Sequence, residues 1–422
     1  MKKKILISTG GSGGHVVPAL NLYNHLKNEF DVMLYTDLRG AKYVPEKIKK
    51  TIFEVKKIPE KKYLLPLKII FLFFAFIKSL IHFKGNKIDI LISTGGYMSL
   101  PIVLAAKIFN TKIILFEPNS IIGRSNKFLL RFAYQILCYD KDIIHGSNKK
   151  SSVPGYKGVV IDPILNNCFY SNQNTSETKD DTFKILIMGG SQASLFFSKH
   201  LKSEIIQLSK KYKIEITQQL SSGFDIESYK KEYNENNIKN NLFFFEENFL
   251  CKKNNFDIAI TRAGASSLAE LAHLNIPFIS IPFPYATDNH QFLNAKRYYD
   301  SNCCWILEEK NFMPGDIYKI IDRIMIDKNE YKHFLTSAKA RSVLIFYSFL
   351  GCDEILLSKL IVCTWIKCTS FNLIRIIGII QVGKFTLIFS VTNPFCIDAF
   401  SVIASPTVAV VTFTIFGEIA VE

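Results

Sequence analysis

One short pattern opens both halves of the chain. Residues 4–11 (KILISTGG) resemble residues 184–191 (KILIMGGS), with five of the eight positions identical. An apolar run followed by a glycine loop is typical of a buried strand that turns into a helix, which is the building unit of doubly wound α/β domains. A chain of 422 residues is long enough for two such domains with complete cores. The repeat therefore predicts two Rossmann-like domains that face each other across a cleft, where ligands bind at the carboxyl edges of the sheets.

A further strand-turn-helix unit lies between residues 258 and 291. Ile258–Ile260 predicts the end of a buried strand, and Ser266 or Ser267 is in position to cap the helix that follows. Such a turn directs free backbone N–H groups and the positive helix end at an anion, typically a phosphate. Glu270 lies three or four residues into the helix, where a carboxylate can accept both hydroxyls of a ribose. The alternative is one more βαβ unit, with Glu270 on a solvated face.

The first glycine loop, residues 9–14 (TGGSGG), joins a predicted strand at Lys4–Ser8 to a helix opened by residues 15–18 (HVVP). The loop lacks the dehydrogenase pattern G-x-G-x-x-G, and no convincing Asp or Glu ends the next strand to hold a ribose, so a nicotinamide cofactor is disfavoured. A glycine loop before a helix still suits an anionic group. The positive helix end favours a neutral imidazole at His15, which suits a general base. The alternative for a histidine at this position is helix capping.

Leu64–Phe83 is mostly apolar but is interrupted by Pro66, Lys68 and Lys78. Its 20 residues are enough for a helix that spans a bilayer. However, a lysine at the bilayer centre costs roughly 2.5–3.5 kcal/mol. Residues 46–87 hold 11 lysines and three acids, within a net charge of +15 for the whole chain. An aromatic, apolar stripe flanked by lysines favours a helix that lies on an anionic membrane, although part of it must also pack as a core helix. The residues predicted to face the membrane are Lys61, Lys62, Lys68, Phe71, Phe74 and Lys78.

Nine cysteines without a C-x-x-C motif or a regular pairing pattern predict reduced thiols in a cytosolic protein. Residues 352–422 carry four of these cysteines and only nine charged residues. Three interpretations of this segment are open: a membrane hairpin, a β-rich addition, and a non-native read-through or frameshifted end. The lack of helix periodicity and of capping signals favours the third.

Five blocks of the sequence together resemble the MurG family of bacterial glycosyltransferases. They are Ser8–Leu20, Ser93–Ala106, Glu117–Leu129, Met188–Ser194 and the unit at 258–291, and the resemblance extends over about residues 3–345. MurG enzymes transfer GlcNAc from UDP-GlcNAc to lipid I, an undecaprenyl-linked muramoyl-pentapeptide, and so make lipid II for peptidoglycan. The resemblance implies a GT-B fold and an inverting transfer to the C4 hydroxyl of MurNAc.

The resemblance also implies a role for each part of the chain. Residues 1–165 would bind the acceptor and the membrane, and residues 166–340 would bind UDP-GlcNAc, with an apolar-free linker at 171–182. Residues 341–350 would form a helix that returns to the first domain, followed by the atypical apolar extension at 351–422. The implied localisation is peripheral, on the cytoplasmic face of the bacterial inner membrane.

Individual residues of the MurG pattern can be placed on this chain. His15 falls on the proposed catalytic histidine. The acceptor diphosphate is expected at the two glycine loops, through Gly10, Gly11, Gly95, Gly96 and Tyr97. The donor contacts are expected at Ser12, Gly13, Gly14, Asn119, Ser191, Gln192, Ala265, Ser266, Ser267, Leu268, Ala269, Glu270 and Gln291.

Two positions depart from the family pattern. Pro118 stands where the family usually has Gln, and the Arg that most family members carry near the position of Leu165, where it contacts the donor, is missing here. These departures and the unusual tail leave open a degraded copy that binds membrane without turnover. A less favoured alternative is a nucleotide-dependent oxidoreductase.

The expected partners are UDP-GlcNAc, lipid I, an anionic membrane surface and other proteins of cell-wall synthesis, but no nucleic acid. No D-x-D motif stands where a metal would bridge the diphosphate. We therefore expect helix dipoles to stabilise the leaving group without an essential metal or cofactor.

Overall fold

The computed structural model describes residues 2–53, 65–140, 142–145, 158–169, 181–190, 194–246, 248–252, 255–327 and 331, together with six strands between residues 366 and 409. The chain divides into two compact units, Met1–Ser342 and Val343–Glu422. The first unit contains two parallel sheets covered by helices, which confirms the doubly wound α/β class. Most of the predicted linker at 171–182 and all of the predicted returning helix at 341–350 lie outside the described residues.

The first sheet has seven parallel strands: β1 (Lys4–Ser8), β2 (Asp31–Thr36), β3 (Lys50–Ile52), β4 (Ile90–Ser93), β5 (Lys112–Glu117), β6 (Gln135–Cys138) and β7 (Gly158–Val160). Their order across the sheet is β3-β2-β1-β4-β5-β6-β7. The strand order therefore reverses between β1 and β4, where Ser8 pairs with Ser93. Because ligands bind at such a switch point, the loops after β1 and β4 are placed together at the carboxyl edge.

The second sheet repeats this topology with six parallel strands: β8 (Phe183–Met188), β9 (Ile214–Gln219), β10 (Lys239–Phe243), β11 (Ile258–Thr261), β12 (Phe278–Ser280) and β13 (Cys304–Ile306). The order is β10-β9-β8-β11-β12-β13, and Met188 pairs with Thr261 at the switch between β8 and β11. The glycine loop after β8 and the turn after β11 are therefore neighbours.

Helices cover both sheets. Those of the first domain are α1 (Gly13–Leu26), α2 (Leu38–Ala41), α3 (Leu65–Gly85), α4 (Ser99–Ile108), α5 (Arg124–Leu129) and α6 (Asp142–His145). Those of the second domain are α7 (Leu195–Ser209), α8 (Ile226–Glu235), α9 (Phe249–Lys252), α10 (Ala265–His273), α11 (His290–Tyr299) and α12 (Asp316–Ile326).

The repeated sequence pattern has a simple structural cause. Ile5, Leu6 and Ile7 in β1 have no exposed surface, and the same holds for residues 185–187 in β8. Each of these central strands is covered on both faces, so its sequence is a continuous apolar run rather than an alternating one. The glycine loop that follows each run then places a helix start, that of α1 or α7, beyond the carboxyl edge.

Helix α3 contains most of the stretch predicted to contact a membrane. Its inner face is formed by Ala75, Ser79 and Phe83, which are buried against the first domain. Its outer face is an apolar stripe of exposed side chains: Ile70, Phe73, Phe74, Ile77 and Ile81. None of the described helices combines the length and the apolarity that a bilayer crossing requires.

The membrane-facing residues predicted from sequence have different outcomes. Phe74 is 64% exposed and belongs to the outer face, whereas Phe71 is only half-buried and Phe73 is the neighbouring exposed ring. Lys78 is exposed, with its ammonium 5.0 Å from the centre of the Phe53 ring. The side chains of Lys61, Lys62 and Lys68 lie outside the described part of the chain.

The prediction of reduced thiols throughout the protein is wrong for one pair of cysteines. Cys168, in the segment between the two sheets, is joined by a disulfide to Cys251 in α9. These positions are 83 residues apart in the sequence, so their spacing gave no sign of the pairing. Cys138, Cys303 and Cys304 are also buried.

The second compact unit contains the described strands of the C-terminal extension: β14 (Ile366–Ser370), β15 (Leu373–Val382), β16 (Phe385–Thr392), β17 (Ser401–Val402), β18 (Ala404–Ser405) and β19 (Val408–Ala409). The first four form an antiparallel sheet, and the last two form a separate pair. Strands are what a β-rich addition would contain, but they do not test the favoured interpretation of a non-native read-through or frameshifted end, which stays a prediction.

Candidate functional site

A cavity of about 1300 Å³ lies between the two domains of the first unit. One wall is the start of α1 at residues 12–14, with Asn119 from the loop after β5. The other wall is formed by the glycine loop after β8, the start of α10 and the segment that precedes α11. The predicted donor residues that line the cavity are Ser12, Gly13, Gly14, Asn119, Ala265, Ser266, Ser267, Glu270 and Gln291. Ser191 and Gln192 lie outside the described residues.

The start of α10 differs from the prediction. Gly264 is the residue before the helix, and no side chain caps the first turn, so the prediction of a cap at Ser266 or Ser267 is wrong. The backbone N–H groups of this turn therefore remain available to a ligand, as at other anion-binding helix ends. Leu268 and Ala269 point away from the cavity into the core of the second domain, which leaves only backbone groups at these positions for ligand contact.

Glu270 lies one turn further along α10. Its side chain is half-buried and lines the cavity, so it does not lie on a solvated face. Burial raises the pKa of its carboxyl group to about 7. A carboxylate held in such a partly dry site has the most to gain from hydrogen-bond donors supplied by a ligand.

Gln291 is held in place by its own amide oxygen. That oxygen accepts hydrogen bonds from the backbone N–H of Phe283 at 2.9 Å and of Ala263 at 3.3 Å. The NH₂ group of the same amide is the remaining polar group of the side chain, and it can donate to a hydroxyl or carbonyl of a ligand.

Asn294, in α11, is a site residue whose contacts the sequence did not reveal. It is 2% exposed, and its amide donates to the carbonyl of Ala263 and to Oδ1 of Asn119, both at 3.1 Å. Its own Oδ1 accepts from the backbone N–H of Ser120 at 2.8 Å. This single side chain therefore connects the turn before α10 to the opposite domain.

A second connection crosses the cleft nearby. The guanidinium of Arg124 donates to both carboxylate oxygens of Asp288, with a shortest distance of 2.8 Å. The hydrogen bond from Arg124 holds the pKa of the Asp288 carboxyl below its usual value. The two residues are 164 positions apart in the sequence, so only the folded chain brings them together.

The two glycine loops of the first domain are in contact, as the switch-point topology requires. The hydroxyl of Thr94 donates to that of Thr9 at 2.8 Å. Gly96 has a φ of +89°, and a Cβ at this position would lie 3.2 Å from the carbonyl oxygen of Gly10. Only glycine therefore fits there without a shift of the loops. Gly11 and Gly95 also have positive φ, and Tyr97 is 40% exposed beside them.

His15 is attached to the second of these loops. Its Nδ1 lies 2.8 Å from the carbonyl oxygen of Thr94. A carbonyl only accepts, so the neutral ring carries its proton on Nδ1 and presents an unprotonated Nε2. His15 is half-buried, and it does not itself line the large cavity, although residues 12–14 just before it do. It is therefore on the glycine-loop side of the cleft.

Asp37 is an acidic residue beside the first glycine loop, in the region where a nicotinamide cofactor would need a carboxylate for its ribose. An acid does follow β2, since Asp37 comes directly after Thr36 and is 3% exposed. Its Oδ1 accepts from the N–H groups of Gly11 and Gly40, at 2.9 and 2.7 Å, and its Oδ2 pairs with Arg39. The carboxylate is thus occupied in shaping the first glycine loop, and it is not free to bind a ribose.

Glu117 has a similar organising role. Its Oε1 accepts from the backbone and side-chain nitrogens of Asn119, at 3.3 and 2.8 Å, and its Oε2 accepts from Gly123 and Asn126, at 2.8 and 3.0 Å. The lone pairs of this buried carboxylate are therefore occupied by four donors from its own domain. Glu117 therefore positions Asn119 and the loop that carries it.

Leu165 and Pro118 mark the departures from the family pattern. Leu165 is 3% exposed and packs in the core of the second domain, so it presents no polar group to the cavity. Arg262, at the opposite wall, is already occupied: its guanidinium donates to the carbonyls of Ile281 and Pro282 and pairs with Glu309 at 2.5 Å. It supports the wall of the cavity and does not replace a cation at Leu165.

Comparisons with known proteins agree with this architecture. The glycosyltransferase family 28 N-terminal domain matches residues 5–138, and the family 28 C-terminal domain matches residues 184–344. The crystal structure of Acinetobacter baumannii MurG has a TM-score of 0.63 at 22% identity, covering 80% of this chain and 94% of that one, and it supports the two-domain fold.

Relatives with curated names extend over the same region. A protein of Pelagibacter ubique named UDP-N-acetylglucosamine--N-acetylmuramyl-(pentapeptide) pyrophosphoryl-undecaprenol N-acetylglucosamine transferase is 43% identical over 333 residues, which are 78% of this chain and 92% of the relative. A protein of the same name from Rickettsia felis is 32% identical, covering 76% of this chain and 91% of the relative. With both family 28 domains and these relatives matched over most of its length, the chain belongs to the MurG family of glycosyltransferases.

Proposed function

We propose that this chain transfers GlcNAc from UDP-GlcNAc to the C4 hydroxyl of MurNAc in lipid I. The observation that carries the proposal is the juxtaposition in one cleft of two different half-sites. The second domain contributes the uncapped start of α10 with Glu270 one turn away. The first domain contributes His15 and the two touching glycine loops. A donor on one wall and an acceptor on the other is the arrangement that a transfer reaction needs.

The donor half-site fits a nucleoside diphosphate. The N–H groups at the start of α10 and the positive end of its dipole suit the diphosphate, which also gains negative charge as UDP leaves. Glu270 lies where its carboxylate can accept the two ribose hydroxyls. The exposed ring of Phe245 and the amide of Gln219 also line the cavity. They extend this wall to the region where the uracil ring of the donor would lie.

The chemistry requires one proton acceptor. The MurNAc C4 oxygen attacks the anomeric carbon of GlcNAc, the bond to the UDP oxygen breaks, and the hydroxyl proton moves to a base. His15 is suited to that step because Thr94 fixes its Nδ1–H tautomer and leaves Nε2 to accept the proton. The glycine loops at residues 10–14 and 95–97 would then hold the acceptor diphosphate. That no metal is essential remains a prediction.

The direct test is transfer of labelled GlcNAc from UDP-GlcNAc to a lipid I analogue. We expect a product one GlcNAc larger, formed together with one equivalent of UDP. Binding of UDP without transfer would instead support the degraded-copy alternative. A change in the nicotinamide absorbance on addition of NAD(P)H would support an oxidoreductase, which the occupied carboxylate of Asp37 disfavours.

The outer face of α3 indicates where in the cell the protein would act. A row of exposed apolar side chains at Ile70, Phe73, Phe74, Ile77 and Ile81 follows the spacing of one helix face. With the lysine-rich stretch around it, this row suits peripheral attachment to an anionic membrane, where the lipid I acceptor resides. The side of the membrane we propose is the cytoplasmic one, since the donor is a nucleotide sugar.

This membrane face can be tested by one matched pair of substitutions. Ile81→Ser should weaken binding to vesicles that contain anionic phospholipid by about ten- to hundredfold, because a buried isoleucine side chain contributes roughly 1.5–3 kcal/mol. Ile326→Ser is the control, since Ile326 is 68% exposed, against 69% for Ile81, but lies in α12 of the other domain. Co-sedimentation with vesicles measures both variants.

Salt supplies a second readout of the same surface. Wild-type binding should weaken as salt rises, because the lysine contribution is screened. Equal binding by both isoleucine variants and the wild type, or binding that survives high salt and carbonate extraction, would contradict peripheral attachment through this face.

A further inference from the structure

A nucleotide donor in the cavity would bind more tightly next to a positively charged side chain, and the residues assigned above do not supply one. A nucleoside diphosphate carries at least two negative charges, and backbone N–H groups provide only partial charges to meet them. Among the described residues, the lysines and arginines that line the cavity are Lys27, Lys47, Lys199 and Arg262. Arg262 is already paired with Glu309 and with two carbonyl groups.

Lys199 lies in a different domain from the other two lysines. Lys27 and Lys47 belong to the first domain, and the ammonium of Lys27 donates to Asn24 at 3.0 Å. Lys199 belongs to the second domain, in the second turn of α7. It is exposed to the cavity and has no hydrogen bond or ion pair within the part of the chain that the structure describes.

The sheet topology brings Lys199 close to the start of α10. Helix α7 follows the glycine loop after β8, and β8 is paired directly with β11, which leads into α10. Phe196, one turn before Lys199, lies 5.6 Å from the guanidinium of Arg262, which comes directly after β11. Residues three apart share a helix face, so Lys199 belongs to the side of α7 that faces the α10 turn.

The N-terminal turn of α7 has fewer free backbone donors than that of α10, so a side-chain cation would add to its binding of an anion. Unlike α10, α7 has a side-chain cap, since the hydroxyl of Ser194 accepts from the N–H of Phe197 at 3.3 Å. One of its free donors is thus already used. Of the residues that the structure describes, three acids line the cavity: Glu246 pairs with Lys252, Glu309 pairs with Arg262, and Glu270 is assigned to the ribose, one turn into α10.

We propose that the ammonium group of Lys199 binds the diphosphate of the nucleotide donor. The proposal rests on the proposed function, because it takes the cavity to be the UDP-GlcNAc site. It makes Lys199 a donor-binding residue that offsets charge on the leaving group, alongside the backbone of the α10 turn.

The test compares two ligands that differ only in the diphosphate. Isothermal titration of the full chain with UDP and with uridine separates phosphate binding from recognition of the nucleoside. Lys199→Met should weaken UDP binding by roughly ten- to hundredfold, the usual effect of losing a charge-assisted hydrogen bond, and should change uridine binding less than about twofold. Lys199→Arg should retain most of the affinity for UDP.

Lys210→Met is the matched control, since Lys210 directly follows α7, is exposed and does not line the cavity. It should bind UDP as the wild type does, and all variants should have the same melting temperature. Unchanged UDP binding by Lys199→Met, or an equal loss for uridine, would overturn the assignment of Lys199. A wild-type chain that binds neither UDP nor UDP-GlcNAc would overturn the proposed function, and this inference with it.

Discussion

Replacement of His15 by alanine is expected to lower kcat by about 10²–10⁴-fold while UDP affinity changes little. This is the usual contribution of a positioned general base. The reason is geometric: the Thr94 carbonyl, 2.8 Å from Nδ1, fixes the tautomer in which Nε2 is free to take a proton. The measurements are kcat, the dissociation constant of UDP and the melting temperature on the same variant.

A second histidine of α1 provides the control. The Nε2 of His25 lies 2.8 Å from the carbonyl of Leu165, so His25→Ala removes a comparable side-chain to backbone contact away from the glycine loops. We expect it to lower stability by about 0.5–1.5 kcal/mol and to leave kcat nearly intact. If His15→Ala behaves in the same way as His25→Ala, His15 is a structural residue and the proposed base is wrong.

Replacement of Glu270 by alanine is expected to raise the KM for UDP-GlcNAc by about 10²–10⁴-fold, with little change in the KM for the lipid acceptor. Two hydrogen bonds to a carboxylate are lost, each contributing roughly 1.5–3 kcal/mol before the partly dry site relaxes. Only the donor carries a ribose, so the effect should be confined to the donor. Equal effects on both substrates would remove Glu270 from the ribose site.

The pH dependence of UDP binding gives the same residue a more specific signature. Burial raises the pKa of Glu270 to about 7 in the unliganded protein, and hydroxyl donors bind the charged form better. UDP affinity should therefore fall as pH drops below about 7, by at most tenfold per pH unit. Glu270→Gln keeps the shape of the side chain but cannot titrate, so this slope should disappear in that variant.

The free energy of unfolding should change with pH in the opposite direction to the affinity for UDP. Burial favours the neutral acid in the folded chain, so the contribution of Glu270 is fully present below its unfolded pKa, near 4.5. It is lost as pH rises from there through about 7. A bound ribose would compensate for that loss, so the free energy of unfolding should fall less over this pH range when UDP is saturating.

The parts of the site that sequence could predict are those set by local pattern. The apolar runs of β1 and β8, the glycine loops after them and the helix that carries Glu270 follow from residues close together in the chain. The error at Ser266 and Ser267 is a local one, since the helix begins at Ala265. Serines within the first turn and a serine before it give the same sequence signal.

The remaining parts depend on contacts that no spacing in the sequence records. Asp37 resembles an ordinary turn residue until the fold brings it to Gly11, and Asn294 acquires its role only when Asn119 approaches from the other domain. The pairing of Cys168 with Cys251 is of the same kind. Each of these contacts joins segments that are distant in the sequence, and its geometry follows from the packing of the two sheets.

The connections at Asn294 and at Arg124 have a kinetic consequence. The two domains are joined across the cleft by the hydrogen bonds of Asn294 with Asn119 and Ser120, and by the pair of Arg124 with Asp288. These contacts lie on one short stretch of each domain, residues 119–124 and 288–294, so a hinge motion that breaks one must strain the others. We therefore expect opening of the cleft to break these polar contacts together, so that a bound product leaves more slowly than it would from a cleft without them.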